Sequence, residues 1–293
     1  MLVILLCLMA AFFFACHGVF VKVGLKGSDP LSAALVSSSI NAIFLWTLTI
    51  LFVPLQVLIH KGMIYLIIAG LLAPCLARVF MYTGIEKVGV SIASPIRSTF
   101  PFFAVTPAIL FLNERFTGFV GIAAISTVLG VVLLSLSPSG NLGTPIQLQW
   151  EKKDLLFPLA AALFYGVSDF FRKIGMITVT SPLGGATIVT TVSLLFFAMI
   201  LPWMKRKRKM AVGNRSALFF SLGGIFGSLG QISLLSALRS GQLIVVSPLV
   251  STTPLFTLSL TYIFLRKSER ITSRVVLGVI AIVVGVIILT SIS

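Results

Sequence analysis

The chain is a succession of long apolar runs punctuated by short polar breaks. Breaks at Pro, Gly and charge separate ten runs, at approximately 2–23, 31–54, 62–84, 90–112, 117–137, 154–175, 182–204, 214–238, 242–265 and 271–291. Each holds about 20 residues or more, the length a helix needs to cross the hydrocarbon of a bilayer. Lipid offers the backbone no hydrogen bonds, so only helices or closed barrels can span it. A barrel would alternate in polarity over segments of about 10 residues, and these runs do not. The pattern predicts an all-α integral membrane protein with ten transmembrane helices.

Composition agrees. Of 293 residues 58% are hydrophobic and only 10% charged, with a mean hydropathy of +1.12. A soluble domain is nearer a quarter charged, because its surface must be wetted. The first run lacks a basic start, and Cys16-His17-Gly18 makes a poor cleavage site, so it reads as a retained helix. Cys7, Cys16 and Cys75 all fall inside apolar runs and read as free thiols used as small packing residues. The net charge of +15 lies mostly in short turns. That placement favours orientation signals and anionic lipid headgroups over nucleic acid.

The halves of the chain repeat one another. The longest connection, SPSGNLGTPIQLQWEKKD, is polar and lies midway, which divides the chain into a first unit at 1–137, a linker at 138–153 and a second unit at 154–293. SPIRSTFP (94–101) and SPLVSTTP (247–254) match when shifted by 153, so Ser94, Pro95, Ser98, Thr99 and Pro101 answer Ser247, Pro248, Ser251, Thr252 and Pro254. After a two-residue insertion Glu114-Arg115 answers Glu269-Arg270, and Gly130 answers Gly285. KVG (22–24) similarly answers KIG (173–175). Five spans per half is an odd number, so the second copy enters from the opposite side. The expectation is two inverted five-helix repeats with a substrate site near the midplane where they meet. Odd-numbered connections hold 15 Lys and Arg and even ones 5, which by the positive-inside rule places both termini outside.

YTGIEKVGVSIASPIRSTFPFFAVTPAILFLNERFT (82–117) and its parallel, LSALRSGQLIVVSPLVSTTPLFTLSLTYIFLRKSERIT (235–272), resemble the EamA-type ten-helix members of the drug/metabolite transporter superfamily. Where that family often carries a tryptophan before the glycine of its first helix, this chain has His17-Gly18 and Tyr165-Gly166. The resemblance implies a secondary transporter in the cell membrane, multi-pass, with both termini in the cytoplasm, opposite to the charge count. Coupling to a proton or counter-substrate follows from the resemblance alone.

Candidate chemistry is sparse. Arg97 lies between Pro95 and Pro101, deep in an apolar run, where a cation is costly unless it faces water, a counter-ion or the bundle interior. It reads as an anchor for a carboxylate or phosphate, or as one member of a structural ion pair. Ser94, Ser98 and Thr99 are placed to satisfy carbonyls that the prolines leave unpaired, and Ser94, Thr99, Ser247, Thr252 and Tyr82 are candidate substrate contacts beside Arg97, Arg78 and Gln231. The four prolines Pro95, Pro101, Pro248 and Pro254 read as hinges. Arg78 answers Gln231, a pair able to donate into a central cavity; the competing reading for Arg78 is a salt bridge to Asp169 or Glu86. Asp169 reads as a coupling carboxylate or as the local partner of Arg172, and His17 as a proton relay or a hydrogen-bonded structural group. Phe80, Tyr82, Phe100 and Phe102 are candidate pocket walls. Asn41 with Ser37, Ser38 and Ser39, and GGIFGSLG (223–230), read as helix-helix contacts. Glu114 and Glu269 are expected to sit at the N-terminal dipoles of the helices that follow them.

There is no metal-ligand cluster, nucleophile-base set or phosphate-cradling loop. The chain therefore reads as a carrier rather than an enzyme, with no cofactor, acting on a small polar or anionic metabolite as a monomer or homodimer. A passive channel or facilitator and a non-transporting assembly subunit are the alternatives.

Overall fold

The computed structural model describes residues 1–293 except 26–27, 29, 89, 115–117, 136–150, 206–212, 265–272 and 293; the side chains of Tyr82 and Glu86 are also outside the described residues. The apolar runs are helical. In chain order the helices are α1 (Leu2–Gly24), α2 (Pro30–Phe52), α3 (Met63–Gly70), α4 (Ala77–Val88), α5 (Val90–Arg97), α6 (Phe100–Leu112), α7 (Gly118–Ser135), α8 (Leu156–Thr178), α9 (Pro182–Lys205), α10 (Asn214–Ser240), α11 (Leu243–Val250), α12 (Thr253–Phe264) and α13 (Ser273–Ile292). Eight helical stretches are long and apolar enough to cross a membrane, and Gly121–Leu133 and Val276–Ile288 are shorter apolar helices.

Three runs expected as single helices are interrupted. The run at 62–84 becomes α3, a π-helical segment Leu71–Leu76, and α4, with Ala73 extended at φ −145° and ψ 137°. Pro74 causes this, since its ring carries no amide and restricts the residue before it to extended backbone. The run at 90–112 breaks at Ser98–Thr99, and that at 242–265 breaks at Ser251–Thr252. In both cases the break falls between the two prolines. Pro101 and Pro254 then sit in the first turns of α6 and α12, where a missing amide costs nothing.

Side-chain contacts define two ends of the bundle. At one end the C-terminal parts of α6, α8 and α10 and the N-terminus of α11 converge, with Val3 of α1 against Gly241. At the other, Lys87 near the end of α4 bonds Asp154 just before α8 at 2.9 Å, and Gly24 meets Phe220 of α10. Between them α1 packs against α10, α3 and α4 against α8, α2 against α9 and α10, and α7 against α13. The core of small and branched residues includes Leu66, Ala69, Val189, Leu235, Leu243 and Leu249. Ile50, Leu51, Leu110, Phe111 and Met199 face outward.

Helices in lipid gain little from burying apolar surface against one another, so close backbone approach carries much of their association. Gly224 lies so near α2 that a Cβ would stand 2.6 Å from the Ser37 carbonyl oxygen. The α7/α13 contact is reciprocal. A Cβ on Gly130 would stand 2.6 Å from the Gly278 carbonyl oxygen, and one on Gly285 would stand 2.7 Å from that of Ala123. Gly130→Val should therefore wedge α7 from α13 and cost about 1–3 kcal/mol. Thermal unfolding in detergent should show a lowered Tm, and an unchanged Tm would contradict this packing.

Candidate functional site

The break between α3 and α4 sets the middle of the bundle. Pro74 has no amide to give the Gly70 carbonyl, and Ser193 of α9 donates to that oxygen instead, at 2.6 Å. Ser168 of α8 donates to the Ala69 carbonyl at 2.9 Å. Arg172 of α8 donates through Nη2 to the Ala73 carbonyl at 3.0 Å and through Nη1 to Asp169 Oδ1 at 2.9 Å. Both side chains of that ion pair are over nine-tenths buried. The local pairing of Asp169 is thus the one formed, and the alternative Arg78–Asp169 salt bridge is not. Asp169 neutralises the guanidinium that staples the broken helix.

Arg97 is the last residue of α5, at the brink of its break. Its guanidinium lies over the Tyr165 ring of α8, 4.6 Å from the centroid, a cation–π contact. Asp169 is one turn further along α8 and within electrostatic reach. Phe100 packs on Tyr165 from the other side of the break, with centroids 6.4 Å apart. Arg78, in the first turn of α4, donates to Ser38 of α2 at a long 3.4 Å and lies near His17 of α1. His17 Nδ1 is 2.7 Å from the Gly223 carbonyl oxygen. A carbonyl only accepts, so Nδ1 carries the proton and a neutral ring presents Nε2 as an acceptor. Ser228 donates to Asn41 Oδ1 at 2.9 Å, which fixes α10 to α2.

The second half contributes neutral groups. Gln231 and Ser247 are 7% and 1% exposed, and Gln231 Oε1 and Ser247 Oγ have no hydrogen-bond partner among the described residues. Thr99 and Thr252 each donate back to a carbonyl three residues earlier, Ile96 and Leu249, at 2.7 Å. The Ser94 carbonyl accepts from the Ser98 amide and hydroxyl. These hydroxyls serve the backbone breaks and keep only their acceptor lone pairs for anything else. Arg78 and Gln231 do not bond one another. Of the candidate walls, Phe100 joins the site, Phe80 packs on Phe157 and Phe164, Phe102 is exposed on the bundle surface, and the Tyr82 side chain lies outside the described residues.

Glu114 is corrected most. It was expected to cap the helix after it, but its two carboxylate oxygens accept from the Leu243 and Ile244 amides at 2.8 and 2.9 Å, so it caps α11. Beside it Lys173 donates to the Leu238 and Gly241 carbonyls at 2.8 and 2.6 Å. Negative charge meets a helix N-terminus and positive charge a C-terminus, each complementing the local dipole. Glu269 lies outside the described residues.

A family model for the EamA-like transporter family matches residues 1–136 and again 152–291. The chain belongs to the EamA-like transporter family. That family is part of the drug/metabolite transporter superfamily, which makes the protein a multi-pass membrane transporter, usually of the cell membrane. An uncharacterized transporter of Archaeoglobus fulgidus is 27% identical over 291 residues, covering 99% of this chain and 98% of that protein. An uncharacterized protein of Methanocaldococcus jannaschii is 29% identical over 136 residues, which are 46% of this chain but 95% of that protein. A protein of known crystal structure superposes with a TM-score of 0.80 over 99% of this chain and 96% of its own, at 14% identity, a likeness of fold alone.

Removing one member of a buried ion pair strands the other, at about 3–5 kcal/mol. Arg172→Ala should therefore lower the Tm in detergent more than the double variant Asp169→Ala/Arg172→Ala, which leaves no buried charge behind. Equal losses in the two would mean that the pair is not desolvated as described.

Proposed function

We propose that this EamA-family chain is a secondary transporter that moves a small polar or anionic metabolite by alternating access. Its ten spans form two oppositely inserted five-helix repeats, 1–137 and 154–293, joined by the 138–153 linker. The repeat reading is supported by the double family match, by a relative half this length, and by helix breaks 153 residues apart. Inverted repeats provide two alternative packings of like energy, which alternating access requires.

The observation that carries the transport reading is the unequal contact of the two broken helices. α6 packs against α11, whereas α5 and α12 make no comparable contact among the described residues. The two broken helices thus meet at the end bearing Glu114 and part toward the other, where the halves still touch through Lys87–Asp154 and Gly24–Phe220. Arg97 stands where the parting begins. On this reading Arg97 and Arg78 attract the anionic group, while Gln231, Ser247, Thr252, Ser94, Thr99 and Tyr82 supply neutral contacts. Pro95, Pro101, Pro248 and Pro254 confine bending to two points. Asp169 and His17 are the groups through which a proton could couple, although Asp169 first has to release Arg172.

Uptake into proteoliposomes tests the reading. Saturable flux of an anionic metabolite that falls at least tenfold in Arg97→Ala is expected; unsaturable flux would indicate a pore, and no flux for any metabolite an assembly subunit.

Glu114 should act as a latch. Glu114→Ala leaves two buried amides at the start of α11 without a charged acceptor, worth roughly 1.5–3 kcal/mol, and should open the closed end about tenfold more often. With the three native cysteines replaced, Ile244→Cys should then react faster with a membrane-impermeant thiol reagent. Unaltered labelling would show that this contact does not hold the gate.

A further inference from the structure

The arginines in the middle of the bundle outnumber its carboxylates, and the excess points to the charge of the cargo. Of the seven acidic residues, Asp29 and Glu269 fall between the apolar runs of the sequence and lie outside the described residues, and Glu86, Glu114, Glu151 and Asp154 stand at helix ends or in connections, which leaves Asp169 in mid-helix. Asp169 is bound by Arg172. That leaves the guanidiniums of Arg78 and Arg97 without a carboxylate partner among the described residues. An arginine does not relieve this by losing a proton, and His17 supplies no negative charge in either protonation state.

The two guanidiniums stand at comparable depth. α4 and α5 are consecutive and packed together, and a helix rises about 1.5 Å per residue. Arg78 is ten residues before the end of α4 and Arg97 seven after the start of α5, which corresponds to about 15 and 10 Å from their shared connection. Arg78 also follows Pro74, where the helix restarts, so the positive end of α4 adds to its field. They reach toward different walls, Arg97 to Tyr165 on α8 and Arg78 to Ser38 on α2 and His17 on α1. One monovalent group can neutralise only one of their two charges. At the matching positions of the second half stand Gln231 and Val250, so the excess belongs to the first half alone.

We infer that the cargo is a dianion, a dicarboxylate or a phosphate monoester, whose two negative charges are divided between Arg97 and Arg78. The inference rests on the carrier reading above and narrows its substrate class. Neutral and zwitterionic compounds would leave at least one mid-bundle cation unmatched, and cations would be repelled by both.

The test uses the purified full chain in detergent, with thermal-shift titrations at fixed ionic strength. Two matched pairs of probes serve: succinate against its monomethyl ester, and glycerol phosphate against a phosphate diester. Each dianion should half-saturate at roughly a tenfold lower concentration than its monoanionic partner, since one further charge contact in a partly solvated site is of that order. Which dianion binds tighter distinguishes dicarboxylate from phosphate monoester. Arg78→Gln should bring the dianion to the level of its partner, Arg78→Lys should keep part of the preference, and Arg97→Gln should weaken both members of each pair. Equal half-saturation within each pair, no stabilisation by any probe, or a dianion preference that survives in Arg78→Gln overturns the inference. The carrier reading fails separately: saturable, Arg97-dependent flux of a monoanion with no advantage for dianions would leave that reading standing and sink only this one.

Discussion

A helix cannot be interrupted inside a bilayer unless other protein groups take up the backbone atoms it releases, because lipid will not. Three interruptions run through the middle of this bundle, and each has polar side chains committed to it. Ser193, Ser168 and Arg172 serve the carbonyls around Pro74. Ser98, Thr99, Ser251 and Thr252 serve those around the paired prolines, and Glu114 serves the amides at the start of α11. A residue that looks like site chemistry in an apolar sequence is thus often backbone repair. Whatever is left after repair is the better guide to function.

Asp169 follows from that constraint. Using Arg172 to hold the Ala73 carbonyl buries a cation, and the buried cation needs a carboxylate within reach. The pair is therefore structural in origin, yet it stands one turn from Tyr165 and Arg97. Any motion that drew Arg172 off the α3–α4 break would release a carboxylate beside the anchor. Stability of the break and charge at the site are coupled through a single side chain.

The helices were legible because a bilayer demands a length and an apolarity that few other environments do. The prolines around Ser98–Thr99 and Ser251–Thr252 were legible as hinges, but each run was expected as one helix; the interruption comes from the missing amide at the first proline and the N-terminal turn that suits the second. The break at Ala73 was written just as openly in Pro74, but one proline in a helix can also be absorbed as a gentle bend, and nothing local decides between these. Partners distant in sequence were not legible. Glu114 accepts from amides 129 and 130 residues away, and a carboxylate in a turn reads first as a cap for its own helix. The stacking of Arg97 on Tyr165 has no periodic signature at all; only the placement of α5 on α8 reveals it.

The halves are alike in pattern but not in mechanics. α10 runs unbroken from Asn214 to Ser240, while its counterpart is split into α3 and α4. A continuous helix lined with Gly223, Gly224, Gly227 and Gly230 can lie close against α1 and α2 and move as one body. The split one is stapled at its break by three donors from α8 and α9 of the second half, so there the two halves are tied to one another. Arg78 and Arg97 belong to the first half, while Gln231 and Val250 stand at the matching positions of the second, so at these positions one wall is charged and the other neutral. That division suits a carrier. A bound ion held by one charged wall keeps its contacts through the motion, while an uncharged wall can slide past it without having to break an ion pair at each turn of the cycle.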